Sequence, residues 1–129
     1  MRRAGEAVAR LALALAPHAR RIWVAAGPGN NGGDGLEAAV QLALRGKQVR
    51  VTLAAGRARL PADARDALAR AQAAGITVEP FGPPELDAQD MAIDALLGIG
   101  ASRADFPMSR RSNARWENSS RDSPARAGR

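Results

Sequence analysis

Arg21-Ile22-Trp23-Val24-Ala25-Ala26-Gly27-Pro28-Gly29-Asn30-Asn31-Gly32-Gly33-Asp34-Gly35 is the stretch whose reading decides the fold. Its first six residues form a short apolar run with the β-formers Ile22, Trp23 and Val24, which reads as a buried strand. Five glycines and two adjacent asparagines follow within nine residues, more than a tight turn needs. Residues 34–44 then set Leu36, Ala39, Val40 and Ala43 on one face of a helix that Gly46 stops. A glycine loop between a strand and a helix is the setting in which the free amides of a helix start hold a phosphate. The glycines are expected to supply positive φ and close approach to a ligand, and Asp34 to cap the helix.

Working outward, residues 4–16 read as a helix with Ala7, Val8, Leu11 and Leu15 on its apolar face and Pro17 as its stop. On the other side come a second strand at 49–53 and a helix opening at Pro61. That helix runs through Ala64, Ala67, Leu68 and Ala71 to Gly75. A third strand at 76–78, a brief helical turn at 85–88 and a fourth strand at 91–96 complete the pattern. Strands alternating with helices predict right-handed crossovers. The expected fold is α/β: a Rossmann-like three-layer αβα arrangement with a mostly parallel sheet covered on both faces, incomplete at the C-terminal side. If the strand order is 3-2-1-4, the first and fourth strands are neighbours where the order reverses, and ligands sit at such switch points.

The loop is neither of the two common phosphate cradles. A Walker loop needs a lysine before Ser or Thr, and none lies here. Gly27-x-Gly29-x-x-Gly32 satisfies the dinucleotide spacing, but the acidic residue expected about twenty positions on is missing from residues 52–56. Ordinary recognition of an NAD ribose is therefore not supported. A second motif, Asp94-Ala95-Leu96-Leu97-Gly98-Ile99-Gly100, places a carboxylate near the end of an apolar strand. Asp94 is either a strand residue that faces solvent or a polar group delivered to the ligand edge. Arg57 and Arg59 follow the second strand, either as phosphate contacts or as solvated loop cations.

Composition narrows the classes. The chain has 129 residues, fitting one domain with an aliphatic core, since aromatic residues make up only 3%. The absence of cysteine excludes disulfides, thiolate nucleophiles and cysteine metal sites. The single histidine, His18, follows a helix stop and reads as an exposed loop residue. Arg2 and Arg3 ahead of Leu11 mimic a leader, but Glu6 and Arg10 interrupt the apolar run, so a cytoplasmic protein with no membrane segment is expected. The net charge is +6, yet residues 105–129, with six arginines and three acids, carry half of that excess. The basicity belongs to the tail, which argues against a nucleic-acid surface on the folded part. Residues 105–129 have no apolar period and read as a disordered basic tail.

Taken together, Gly27-Pro28-Gly29-Asn30-Asn31-Gly32-Gly33-Asp34-Gly35, the Asp94 motif some sixty residues later and Arg3-Ala4-Gly5 in the first helix resemble the NAD(P)H-hydrate epimerase family, the YjeF N-terminal domain. The resemblance spans about residues 2–104. It implies epimerisation of the R and S forms of hydrated NADH or NADPH, a repair of damaged nicotinamide nucleotides. It implies that Asn30, Asn31, Gly32, Gly33 and Asp34 contact the hydrated dinucleotide and that Gly98, Ile99, Gly100, Ala101, Ser102, Arg103 and Ala104 close over it. It implies a potassium ion held by oxygens of Asn31 and Asp94, and a homodimer.

The chain also departs from that pattern. The family's Asp-x-Pro-Ser-Gly motif, whose Asp is the expected acid/base residue, does not occur in this sequence. The catalytic residue is therefore unassigned, and the expected organisation is a partial domain at 1–104 followed by a tail from an out-of-frame reading. Loss of later strands would leave the fourth strand at an edge, with marginal stability and poor solubility. A non-catalytic nucleotide-binding remnant is the alternative function, and nucleic-acid binding through the tail a third.

Overall fold

The computed structural model describes residues 1–54, 56, 59–80 and 83–96. Its elements are α1 (Arg2–Leu15), β1 (Arg21–Ala26), α2 (Asn30–Leu44), β2 (Gln48–Leu53), α3 (Ala62–Ala73), β3 (Thr77–Glu79) and β4 (Met91–Ala95). The strands form one parallel sheet in the order β3-β2-β1-β4, the order that puts β1 and β4 side by side. Calls on residues 55, 57, 58, 81, 82 and 97–129, including Arg57 and the basic tail, lie outside the described residues.

The period-2 alternation of the strands sorts the sheet into two faces. Ile22, Val24 and Ala26 of β1 join Val49, Val51 and Leu53 of β2 in the core. Leu36, Ala39, Val40 and Leu42 of α2 and Ala64, Ala67, Leu68 and Ala71 of α3 pack onto them. The four α3 residues are those its spacing predicted. Gly46 (φ +82°) and Gly75 (φ +78°) end α2 and α3 in the left-handed region that glycine tolerates best. Among the described residues α1, α2 and α3 all contribute to this one core, so the expected helical cover of the second sheet face is not among them.

Two sequence expectations fail on geometry. The apolar face assigned to the first helix is the wrong one: Leu11 is 58% and Leu15 68% exposed, and Ala7 is exposed too. The buried residues are Gly5, Ala9 and Ala12, small side chains spaced along one stripe. Small residues let α1 lie close against α2, and a Cβ on Gly5 would collide with Cβ of Glu37. The two helices run in the same direction, since Gly5 lies beside Asp34 near the start of α2. At the far end Lys47 Nζ donates to the carbonyl of Pro17 (2.9 Å).

The second failure is the helical turn at 85–88. Those residues are irregular, and the only turn spans 88–89. Asp90 organises this segment instead. Its carboxylate accepts from the Asp87 backbone N–H (2.7 Å) and from Arg21 Nε (2.9 Å) and a terminal nitrogen of Arg21 (2.7 Å). Arg21 also pairs with Asp87 (2.7 Å). This clamp fastens the entry of β4 to the entry of β1, and with it the register that pairs Ala25 with Asp94. Burial by itself would raise the Asp90 carboxyl, but the Arg21 hydrogen bonds, the Asp87 amide and the Arg21 charge hold it below the ordinary carboxylate range.

Candidate functional site

β1 and β4 end together, and the glycine loop fills the corner above them. The Gly27 N–H donates to the carbonyl of Ala95 (2.9 Å). A Cβ on Gly27 would strike the carbonyl of Leu96, so only glycine lets the loop leave β1 this close to β4. A Cβ on Gly32 would strike the carbonyl of Gly27, and one on Gly35 would stand 2.7 Å from Ala95 Cβ and 3.2 Å from Val24 Cγ1. Gly33 is wedged between Met1 and Ala64. The two sequence motifs thus meet at the switch point of the sheet.

The geometry revises the reading of the loop in two respects. None of its glycines takes a positive φ; Gly27, Gly32, Gly33 and Gly35 are required by close packing instead. And α2 begins at Asn30, four residues before its expected start, with Gly29 as its N-cap. Asp34 therefore lies one turn inside the helix and caps nothing. The first helical bond runs from the Gly33 N–H to the carbonyl of Gly29 (3.3 Å). The periodic apolar residues begin only at Leu36, so a reading by periodicity starts the helix too late.

The individual residues are placed as follows. Asn30 is exposed, Asn31 and Asp34 are half-buried, and Gly32 and Gly33 are buried. Asn31 and Asp34, three apart, share one side of the first turns of α2. Asp94 is exposed, and its Oδ1 accepts the Leu96 N–H (3.0 Å), a local turn that ends β4. Its neighbour Ala95 points at α2, so by the strand alternation Asp94 sits on the opposite sheet face. This is the solvent-facing placement of the first sequence reading, one residue before the end of β4. Gly98, Ile99, Gly100, Ala101, Ser102, Arg103 and Ala104 lie outside the described residues. Arg59 is exposed, and so is His18.

The donor chemistry can be matched to a cation. An Asn amide oxygen and an Asp carboxylate are hard oxygen donors of the kind an alkali or alkaline-earth ion takes. Among the described residues Asp94 accepts from the Leu96 N–H through Oδ1. Two side chains do not fill a coordination shell, so a cation on them would need backbone carbonyls and water as well. No cluster of three or more His, Cys, Asp or Glu residues assembles among the described residues.

Sequence reasoning also missed several residues that tie the elements together. Glu37 is buried in α2, backed by Gly5 and paired with Arg70 of α3 through Nε (2.6 Å) and a second guanidinium nitrogen. On the second sheet face Trp23 Nε1 donates to Thr52 Oγ1 (2.9 Å), which makes Trp23 a half-buried polar contact rather than a core residue. Beside it Arg50 and Glu79 pair across β2 and β3 (2.5 Å). An acid at an apolar helical position, as at Glu37, was the available signal for the first of these.

A parallel Rossmann-like sheet with a packed glycine loop at its switch point defines a class of α/β protein, and comparison with known proteins makes it specific. The family described as YjeF-related protein N-terminus matches residues 1–123, and the chain belongs to that family. The NAD(P)H-hydrate epimerase of Bordetella pertussis (strain Tohama I) is 46% identical over 103 residues, 80% of this chain and 44% of that protein. The bifunctional NAD(P)H-hydrate repair enzyme Nnr of Coxiella burnetii is 42% identical over 102 residues, 79% of this chain and 21% of that protein. The crystal structure of yeast ynu0, YNL200c, superposes with a TM-score of 0.60 at 24% identity, covering 74% of this chain and 44% of that one, and bears on the fold alone. The chain spans less than half the length of these relatives. No described helix is long and apolar enough to cross a membrane.

Proposed function

We propose that this chain forms the nucleotide-binding part of an NAD(P)H-hydrate epimerase, acting on the R and S forms of hydrated NADH or NADPH. The observation that carries the reading is the seam between Gly27 and residues 95–96, where the glycine loop and the Asp94 motif are locked into one corner. The relatives named for this activity support it.

In this reading Asn30, Asn31, Gly32, Gly33 and Asp34 bind and orient the dinucleotide at the start of α2, where the helix favours anionic groups. Residues 98–104 complete the site. Asn31 and Asp94 would hold a potassium ion, which when bound supplies a fixed positive charge beside the phosphates. The protein acts in the cytoplasm as a homodimer. Epimerisation at the hydrated carbon also needs a group to move a proton, and this sequence lacks the Asp-x-Pro-Ser-Gly motif expected to provide it. The second reading is a nucleotide-binding remnant without turnover.

One experiment separates the two. Purified chain is incubated with a single epimer of hydrated NADPH, with and without potassium, and the epimers are resolved over time beside a binding measurement. Interconversion above the spontaneous rate supports the enzyme. Binding without interconversion supports the remnant, and neither binding nor turnover refutes both.

A further inference from the structure

β4 is fastened at both of its ends. At its exit the Gly27 N–H donates to the carbonyl of Ala95 (2.9 Å). At its entry stands Arg21, the first residue of β1. Nε of Arg21 donates to Asp90 Oδ1 (2.9 Å) and a terminal nitrogen to Asp90 Oδ2 (2.7 Å), so a planar fork meets a planar carboxylate along both oxygens. The same terminal nitrogen reaches Asp87 (2.7 Å), whose backbone N–H donates to Asp90 in turn (2.7 Å). The Asp90 side chain is 6% exposed, so water scarcely competes for it.

Between those fastenings β4 has little to hold it. Of its five residues only Ala95 is buried; Met91 and Ile93 are half-buried, and Ala92 and Asp94 are exposed. In β2, by contrast, every residue after Gln48 is buried. Segments with few buried contacts are the ones that open locally at low cost. The evenly spaced bonds of a parallel ladder do not by themselves mark one position along the neighbouring strand. Asp90 does mark it. It directly precedes Met91, which pairs with Ile22, the residue after Arg21. With Asp90 held there, the alternation sets Ala95 against Gly35 and Asp94 on the other face beside Ala25. A slip of one residue would exchange the faces and turn the Asp94 carboxylate toward α2.

We propose that Arg21 is a positioning residue for the dinucleotide corner: by gripping Asp87 and Asp90 it keeps β4 docked in the register that presents Asp94 and the Ala95 carbonyl to the glycine loop. The inference rests on the dinucleotide reading of the site given above. Arg21 touches no ligand in this scheme. It acts from the opposite end of β4, by raising the fraction of molecules whose corner is already assembled, and apparent affinity scales with that fraction.

The test uses the full chain with Arg21→Gln, Arg21→Lys and, as a control for general loss of stability, Ile76→Val, which trims the core beside β3 at the other edge of the sheet. Two quantities are read: affinity for hydrated NADPH, and amide hydrogen exchange across Met91–Ala95 compared with β2. Arg21→Gln is expected to speed exchange in β4 about tenfold while β2 keeps its protection, and to weaken binding by a similar factor. Arg21→Lys keeps the charge but loses the fork, and is expected to fall between Arg21→Gln and the wild type. Ile76→Val is expected to lower the melting temperature and leave affinity unchanged. Wild-type affinity in Arg21→Gln overturns the inference and leaves the site reading intact. Weakened binding without faster exchange in β4 overturns it as well, and so does an Arg21→Lys variant no better than Arg21→Gln, because a retained charge would then hold nothing. Equal weakening in Ile76→Val overturns it too, since any loss of stability would then suffice. If Arg21→Gln does not fold, Arg21→Lys against the wild type carries the same two comparisons. A wild-type chain that binds no hydrated NADPH refutes the site reading, and the inference with it.

Discussion

At the scale of single residues, the corner depends on atoms that cannot be added. Gly27 faces the Leu96 carbonyl with no space for a methyl group, while its N–H holds the Ala95 carbonyl. Gly27→Ala must push β4 away or break that bond. It is expected to lower stability by about 2–3 kcal/mol, the upper part of the range for overpacking, read as a shift in the urea midpoint. Asp90 offers a residue-scale prediction in pH. Its carboxyl is held below the ordinary range by Arg21 and the Asp87 amide against the opposing effect of burial. Such a group favours folding above its unfolded pKa, near 4, and that contribution disappears as the pH falls through the lower folded value. Stability therefore declines below about pH 4, and Asp90→Asn flattens this acid limb while costing about 1–2 kcal/mol at pH 7. Urea midpoints for both proteins between neutral and acid pH decide the matter, and parallel curves would refute it.

At the scale of elements, α1 separates what sequence pattern can reveal from what it cannot. The strands, the helices α2 and α3 and the order β3-β2-β1-β4 were legible because large apolar residues recur with the right period between glycine and proline stops. The glycine loop was legible as the connection between β1 and α2. The face of α1 was not, because its leucines point away and the contact with α2 is made by Gly5, Ala9 and Ala12. Hydrophobic periodicity weighs a leucine above an alanine, whereas close helix packing prefers the smaller side chain. The same blindness hid the packing role of the loop glycines, which is a property of what stands opposite them. The expected outcome for α1 is an inversion of the usual ranking. Leu11→Gln with Leu15→Gln should change stability by less than about 0.5 kcal/mol per site, as exposed substitutions do. Ala9→Leu, at a fully buried position, should cost about 1–3 kcal/mol by overpacking. Thermal melts of the two variants side by side test this, and a large loss in the leucine variant would mean that this face is covered in solution.

At the scale of the whole molecule, the three helices are joined at one buried charge. Glu37 is 2% exposed, stands midway along α2, touches Gly5 of α1 and binds Arg70 of α3. Removing one member of such a pair leaves a charge with neither water nor partner, and the loss exceeds what the pair itself contributes. Arg70 is partly exposed, its side chain at 34%, so solvent softens the effect. Arg70→Met is therefore expected to destabilise the chain by about 3 kcal/mol, the lower end for broken buried pairs. Replacing both members, Glu37→Met with Arg70→Met, removes the stranded charge and should recover most of that loss, because an apolar pair of similar volume is often as stable. The three denaturation curves make the argument falsifiable. If the double variant is as unstable as Arg70→Met alone, the pair positions α3 by geometry rather than by charge. If Arg70→Met matches the wild type, the junction of the helices is carried by Gly5, Ala9 and the apolar core, and the ion pair contributes nothing to the platform on which the glycine loop is built.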